Sequence, residues 1–446
     1  MNMTARERTG TVAVLAAMAL VVLDAGLLNV ALPTIAETLG ETPARTILTV
    51  SAYQMALVVG LLPCAHLAER LGYRRLFVGG LALFSAASIL CALAPSLPLL
   101  VAARVLQGVG GAAVMSLGIA LLRFALGPGR LGEAIGWNAL VVALCSAAGP
   151  IVGASILSIV PWPWLFLAKL PISAVALATA PALPKVEPTG LPVDVPGILL
   201  HASAASLILI ATSSATFHPV VAVALVLMAV AFAALLIRRE RTRKSPLWPT
   251  DLLALRSIRI SVAASICCFT AQSAGLLALP FYLQLGLGHG PVIAGMVLTC
   301  WPLSVAATGP FANRLAQRFG SAPLCATGGA LLGCALLLSA LWPAKDAATA
   351  LAAGAALAGL GFGLFQVPNN RILFLTAPPE RSAAAGGLQG SARLLGQTFG
   401  ALLMSLLFAG APAVDAARAG LALASTFAIV AALVSALEVP ARFQRV

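Results

Sequence analysis

Charge is what this sequence has least of. Of 446 residues only 9% are Asp, Glu, Lys or Arg, while 60% are hydrophobic. A soluble domain carries about 25% charged residues, so the side chains that would cover a water-facing surface are missing and a soluble globule is excluded. Intrinsic disorder is excluded as well, because it needs low hydrophobicity and high charge density. Acidic residues are scarcer than basic ones, 14 against 27, for a net charge of +13. That excess does not indicate nucleic acid, because the cations fall in short gaps between apolar runs and form no single basic patch. The eight cysteines (64, 91, 145, 267, 268, 300, 325 and 334) contain no C-x-x-C pair, and the four histidines (66, 201, 218 and 289) contain no H-E-x-x-H. Neither a disulfide framework nor a metal site is expected, and no cofactor. None of the four lysines (169, 185, 244 and 345) follows a glycine, so there is no phosphate-binding loop for an ATP-driven pump. A G-x-S-x-G elbow is also missing, as are a second intramembrane acid–base pair and a filter repeat, which disfavours a membrane enzyme or a channel.

What the chain does have is long apolar runs. A hydrocarbon core of about 30 Å takes roughly 20 helical residues. On that ruler fourteen candidate spans start near residues 11, 47, 76, 98, 133, 164, 195, 219, 260, 291, 322, 347, 384 and 416. The first is full length with no small-residue cleavage site, so it should remain as a signal-anchor. Assigning alternate gaps to opposite faces puts 21 of the 27 Lys and Arg residues on one side. The other side holds Arg45, Lys345 and Arg418. The positive-inside rule then makes both termini cytoplasmic. Leu67–Gly72 (LAERLG) is echoed by Leu315–Gly320 (LAQRFG), 248 residues later. That offset equals eight helix-plus-turn units of about 31 residues, whereas two simple six-span halves would differ by six. The surplus matches a helical hairpin at 195–237 inserted between the halves. The expected fold is therefore an all-α polytopic membrane protein of fourteen transmembrane helices. It divides into an N-terminal six-helix bundle at 1–185, an inserted hairpin with its linker at 186–245, and a C-terminal six-helix bundle at 246–446.

Four stretches carry a family resemblance. Leu23–Pro33 (LDAGLLNVALP) resembles an LDxTxxNVALP first-span signature, and Ala65–Arg75 (AHLAERLGYRR) a GxLaDRxGrk cytoplasmic loop. Arg104–Ala113 (RVLQGVGGAA) is similar to an RxxQGxgaA fourth-span signature, and Cys145–Ala154, with its GPIVG core, to a gxxxGPxxGG fifth-span motif. Taken in order over the whole chain, they resemble the major facilitator superfamily and, within it, the fourteen-span drug:proton antiporters. The resemblance implies a proton-coupled exporter of small amphipathic compounds, working by alternating access in the cytoplasmic membrane, with an endogenous metabolite as the alternative cargo and a monomer as the working unit. It implies a conformational clasp at Glu69, Arg70, Gly72 and Arg74, and an antiporter kink at Gly149, Pro150 and Gly153. The chain departs from the pattern in several places. Ala65 replaces a glycine, Glu69 an aspartate and Gly26 a threonine. Where the group often reads WRWxFxxNxP, this chain has Trp162-Pro163-Trp164 and then Lys169 before Pro171.

Ionisable residues inside spans are costly in lipid and mark function. Of the fourteen acidic residues, Asp24 alone lies well inside a span, about 12 Å from its outer edge at 1.5 Å per residue. Arg104 and Lys169 sit at similar depth in the same half, about 9 and 8 Å in. Asp24 with Arg104 is the candidate proton-coupling pair. For Lys169 a cavity position and snorkelling to the outer interface stand as equal alternatives. In the second half Gln389, Arg393 and Gln397 are spaced i, i+4, i+8 along one helix face, and Gln272 is placed with them. The candidate substrate cavity comprises Asn29, Gln107, Lys169, Gln272, Gln389, Arg393 and Gln397. Three intramembrane cations against one carboxylate favour neutral or anionic amphipathic cargo over organic dications.

Overall fold

The computed structural model describes residues 4–126, 131–186, 195–214, 219–240, 250–342, 347–378 and 382–438, and every element among them is helical. Fourteen helices dominate. They are α1 (Ala5–Leu39), α2 (Leu48–Leu71), α3 (Tyr73–Ala92), α4 (Leu97–Leu126), α5 (Leu131–Leu157), α6 (Leu170–Thr179), α7 (Val195–Ser214) and α8 (Pro219–Glu240). The remainder are α9 (Arg256–Phe281), α10 (Pro291–Phe319), α11 (Ser321–Leu341), α12 (Ala347–Thr376), α13 (Ser382–Gly410) and α14 (Ala413–Ala436). A helix therefore occurs at each expected position. Twelve helical segments of the described residues are long and apolar enough to cross a membrane, the sixth of them running Trp164–Ala182 through α6. Large hydrophobics such as Leu93, Leu144 and Phe311 face outward, a surface that lipid covers and water does not.

Helix ends follow local chemistry. Thr4 caps α1 in a reciprocal capping box: its Oγ1 accepts from the Glu7 N–H at 3.2 Å, and its own N–H donates to Glu7 Oε2 at 2.8 Å. The α2–α3 and α10–α11 turns are single glycines, Gly72 and Gly320, each at φ 91°. Each caps the helix before it, donating its N–H to Ala68 O at 2.9 Å and Ala316 O at 3.1 Å respectively. A side chain is rarely tolerated in that conformation.

The described chain forms two compact units, 1–239 and 240–446. In the first, α2 and α3 pack on α4, α1 packs on α4, α5 and α6, and α7 lies along α2. In the second, α10 and α11 pack on α12, while α9 packs on α13 and α14. Adding eight to the helix number converts one main packing pattern into the other, as the LAERLG and LAQRFG repeat requires. Gly80 and Gly328, again 248 residues apart, show the correspondence at atomic level. A Cβ on Gly80 would stand 3.1 Å from Gly110 O of α4, and one on Gly328 would stand 2.7 Å from Gly361 O of α12.

Candidate functional site

The first unit holds a buried charged cluster built from five helical segments. Asp24 lies mid-way along α1 and is 1% exposed. Its Oδ2 accepts from Arg104 Nη1 of α4 at 2.6 Å. Its Oδ1 accepts from Gln107 Nε2 at 3.2 Å and from Lys169 Nζ. Arg104 and Gln107 are three residues apart on α4, so both side chains reach the same side. The guanidinium is fixed further: Nε donates to the Thr49 carbonyl of α2 at 3.1 Å, and Nη1 also donates to Gln107 Oε1. Gln107 Nε2 makes a second bond, to Ser88 Oγ of α3 at 2.8 Å. Aromatic faces close the cluster, with Tyr53 4.2 Å from Arg104 and Phe166 4.9 Å from Lys169. Both carboxylate oxygens and both functions of the Gln107 amide are thus occupied. With one anion between two cations the cluster carries a net positive charge, and such an arrangement is tolerated away from water only when its hydrogen bonds are made.

Lys169 does not snorkel. It occupies the joint between a short helical turn, Trp164–Leu167, and α6. Its side chain is 4% exposed and turned onto Asp24. Pro171 in the first turn of α6 lacks a donor that an uninterrupted helix would use, and the joint aims the lysine inward. Lys169 and Gln107 therefore belong to the charged cluster. Asn29, five residues beyond Asp24 on α1, is half-buried and stands apart from it.

Two further groups of residues surround this cluster. Gly26, where the resemblance has threonine, faces Gly149: a Cβ there would stand 2.9 Å from Gly149 Cα and 3.2 Å from Pro150 Cδ. Gly153 continues the contact onto Leu27. Gly149, Pro150 and Gly153 are thus the surface on which α1 rests beside Asp24, and the loss of the threonine is what permits that approach. At the far end of the unit, Arg6 Nε donates to Ala182 O at 3.3 Å and Arg74 Nη1 to Leu183 O at 3.4 Å. Arg6 and Arg74 hence hold the starts of α1 and α3 against the end of the sixth span, while Gly72 caps α2. Arg70 is exposed, and the Glu69 side chain lies outside the described residues.

The second unit is built differently. Gln389, Arg393 and Gln397 are half-buried along α13. Ser273 Oγ of α9 donates to the Gln397 carbonyl at 2.8 Å, which places α13 and α9 in direct contact. Among the described residues Arg393 Nε, Gln272 Oε1, Tyr282 OH, Trp301 Nε1 and Asn370 Oδ1 are buried with no hydrogen-bond partner. Asn369 is paired, donating to Ser265 Oγ at 2.7 Å. Sequence reasoning missed Thr49, Tyr53, Ser88, Trp301 and Asn369. Polar Asn369 and Asn370 within an apolar span were the available signal; a backbone carbonyl such as that of Thr49 leaves none.

A multi-span helical bundle whose first half closes around one buried charged cluster has the form of a membrane transporter. The profile of the Major Facilitator Superfamily matches residues 14–289 and 260–444. The chain is 39% identical to the uncharacterized transporter YebQ of Escherichia coli K12, over 95% of this chain and 93% of that one. It is 32% identical to the puromycin resistance protein pur8 of Streptomyces alboniger, over 94% and 86%. It is 28% identical to the riboflavin transporter RibZ of Clostridioides difficile, over 87% and 85%. The chain belongs to the major facilitator superfamily and is a multi-pass membrane transporter.

Proposed function

We propose that the protein is a proton-coupled antiporter that exports small amphipathic compounds across the bacterial inner membrane by alternating access. The observation that carries this reading is the buried Asp24–Arg104 pair, which gives the transporter a water-excluded ionisable centre inside its spans. In the proposed topology α7 and α8, apolar helices of 20 and 22 residues, cross the membrane as an inserted pair. That makes fourteen spans with both termini in the cytoplasm. The three-part division at 1–185, 186–245 and 246–446, the working monomer and the antiporter group belong to the same proposal. Glu69, Arg70, Gly72 and Arg74 form its conformational clasp. Gln272, Gln389, Arg393 and Gln397 line its cargo path together with Asn29.

For cargo we favour neutral or anionic compounds. Asp24 is already engaged by two cations, which leaves it poorly placed to hold a third, and Arg393 Nε has no partner among the described residues. The pur8 relative supports a drug as cargo; RibZ supports the alternative, an endogenous metabolite. The test is reconstitution in liposomes with an imposed pH gradient, assayed with puromycin and riboflavin. Asp24→Asn should abolish gradient-driven accumulation in protein that remains folded. Undiminished accumulation in that variant removes the assignment of Asp24 and Arg104. Wild-type transport indifferent to the gradient removes proton coupling.

A further inference from the structure

Lys169 is the part of the charged centre that an Asp24–Arg104 pair does not require, and it stands where the resembling proteins have asparagine. Its ammonium donates to Asp24 Oδ1 and lies 5.5 Å from the Phe84 ring and 4.9 Å from that of Phe166. We infer that Lys169 is the group that releases and recovers the exchanged proton, with Asp24 as its fixed counter-ion. The inference rests on the proton-coupled reading above and names the atom that reading leaves open.

The argument is one of charge. Asp24, Arg104 and Lys169 together carry one net positive charge, and a single proton can change that in two ways. Protonating Asp24 would leave two adjacent cations without an anion, where an uncompensated charge is most costly. Removing a proton from Lys169 leaves the Asp24–Arg104 ion pair intact and the cluster neutral. The resulting amine keeps N–H groups to donate to Asp24 Oδ1, so the hydrogen bond survives. Arg104 cannot supply the proton, because a guanidinium stays charged in proteins, whereas a buried lysine ammonium is readily neutralised. Among the described residues the neighbouring helices offer no competing charge. From α2 comes Tyr53, a phenol stacked on Arg104; from α3 comes Cys91, a thiol whose Sγ is 3.8 Å from Gln107 Oε1. At its contact with α1, α5 brings Gly149, Pro150 and Gly153, none of them titratable.

In the step itself one Nζ–H bond of Lys169 breaks, the electron pair stays on nitrogen, and the proton passes to water on the side to which the site is open. Recovery on the other side reverses it. Asp24 remains a carboxylate throughout.

Two measurements test this on the full-length protein. With lysine labelled by carbon-13 in nanodiscs, the Lys169 Cε resonance, assigned by its loss in Lys169→Arg, should move from the ammonium to the amine position over the pH range in which transport responds. Lys185, Lys244 and Lys345 should hold their ammonium positions there. In liposomes assayed with puromycin and riboflavin, Lys169→Arg keeps the charge but cannot release it, and should lose gradient-driven accumulation and flatten the pH profile. Should the arginine fail to fold, the titration is read in the triple variant Lys185→Arg, Lys244→Arg, Lys345→Arg, where Lys169 gives the one remaining lysine signal. A Lys169 that stays an ammonium across that range, or a folded Lys169→Arg as strongly coupled as wild type, overturns the inference and leaves the antiporter reading standing. Wild-type transport indifferent to the gradient overturns both.

Discussion

The two units share a helix order and a packing pattern but differ in what they do with a buried charge. In the first, Asp24, Arg104, Gln107 and Ser88 bond to one another and Lys169 completes the set. In the second, Arg393 Nε, Gln272 Oε1, Tyr282 OH and Trp301 Nε1 are buried with no partner among the described residues. A buried donor or acceptor without a partner costs about 1–3 kcal/mol, so the second unit holds groups that a polar molecule would stabilise. The first unit also holds unpartnered polar atoms among the described residues, Tyr53 OH, Gln54 Oε1 and Asn138 Oδ1. What separates the halves is charge, paired between Asp24, Arg104 and Lys169 in one and carried on Arg393 with an unpaired Nε in the other.

This contrast can be broken or sharpened by substitution. The largest effect is expected for Asp24→Ala, which strands two buried cations and should lower stability by about 3–5 kcal/mol, read as an earlier thermal unfolding of detergent-solubilised protein. Unfolding unchanged from wild type would mean that the cluster is not a stabilising unit. Next comes the shared turn. Gly72→Ala and Gly320→Ala each force a side chain into a conformation costing about 1–3 kcal/mol, and near-equal losses in the two units are the expected result. Gly26→Thr, which restores the residue of the resembling signature, should overpack α1 against α5 at a cost of about 1–3 kcal/mol; suppression by a second change that enlarges the gap would identify the contact. Ser273→Ala removes a bond to the Gln397 carbonyl and should cost about 1 kcal/mol. The smallest effect belongs to Arg393→Met. Its buried Nε has no partner among the described residues, so its loss should bring no earlier unfolding while transport of anionic cargo falls. Strong destabilisation there would show that the second unit is as internally bonded as the first.

Much of this was legible in the sequence. Apolar runs on a fixed ruler located the long helices of the described residues, twelve of them apolar enough to span, and the LAERLG and LAQRFG repeat carried the eight-helix offset that packing reproduces. Asp24 stood out because a carboxylate deep in a span needs a reason. What could not be read was pairing. Depth placed Arg104 and Lys169 level with Asp24, but at about 8 Å a lysine can equally reach the interface. The joint at Lys169 that turns it inward depends on tertiary packing around Pro163 and Pro171. Gly26 read as a loss from the signature until Gly149 was found opposite it. In the second half, i, i+4, i+8 spacing defined a face on α13, yet no spacing rule reveals that Trp301 is buried without a partner among the described residues.

The order in which the Asp24 cluster is completed bears on how the protein is made. Arg104 follows Asp24 by 80 residues and Lys169 follows it by 145. At a synthesis rate of about 5–20 residues per second, the lysine emerges roughly 7–29 s after the aspartate. Until Arg104 emerges, roughly 4–16 s after Asp24 at that rate, α1 is an unfinished element, a hydrophobic segment with an acid at its centre and no counter-charge. Its residence in the bilayer is provisional until α4 arrives, so a nascent chain halted between α1 and Arg104 should be the form most exposed to membrane quality control.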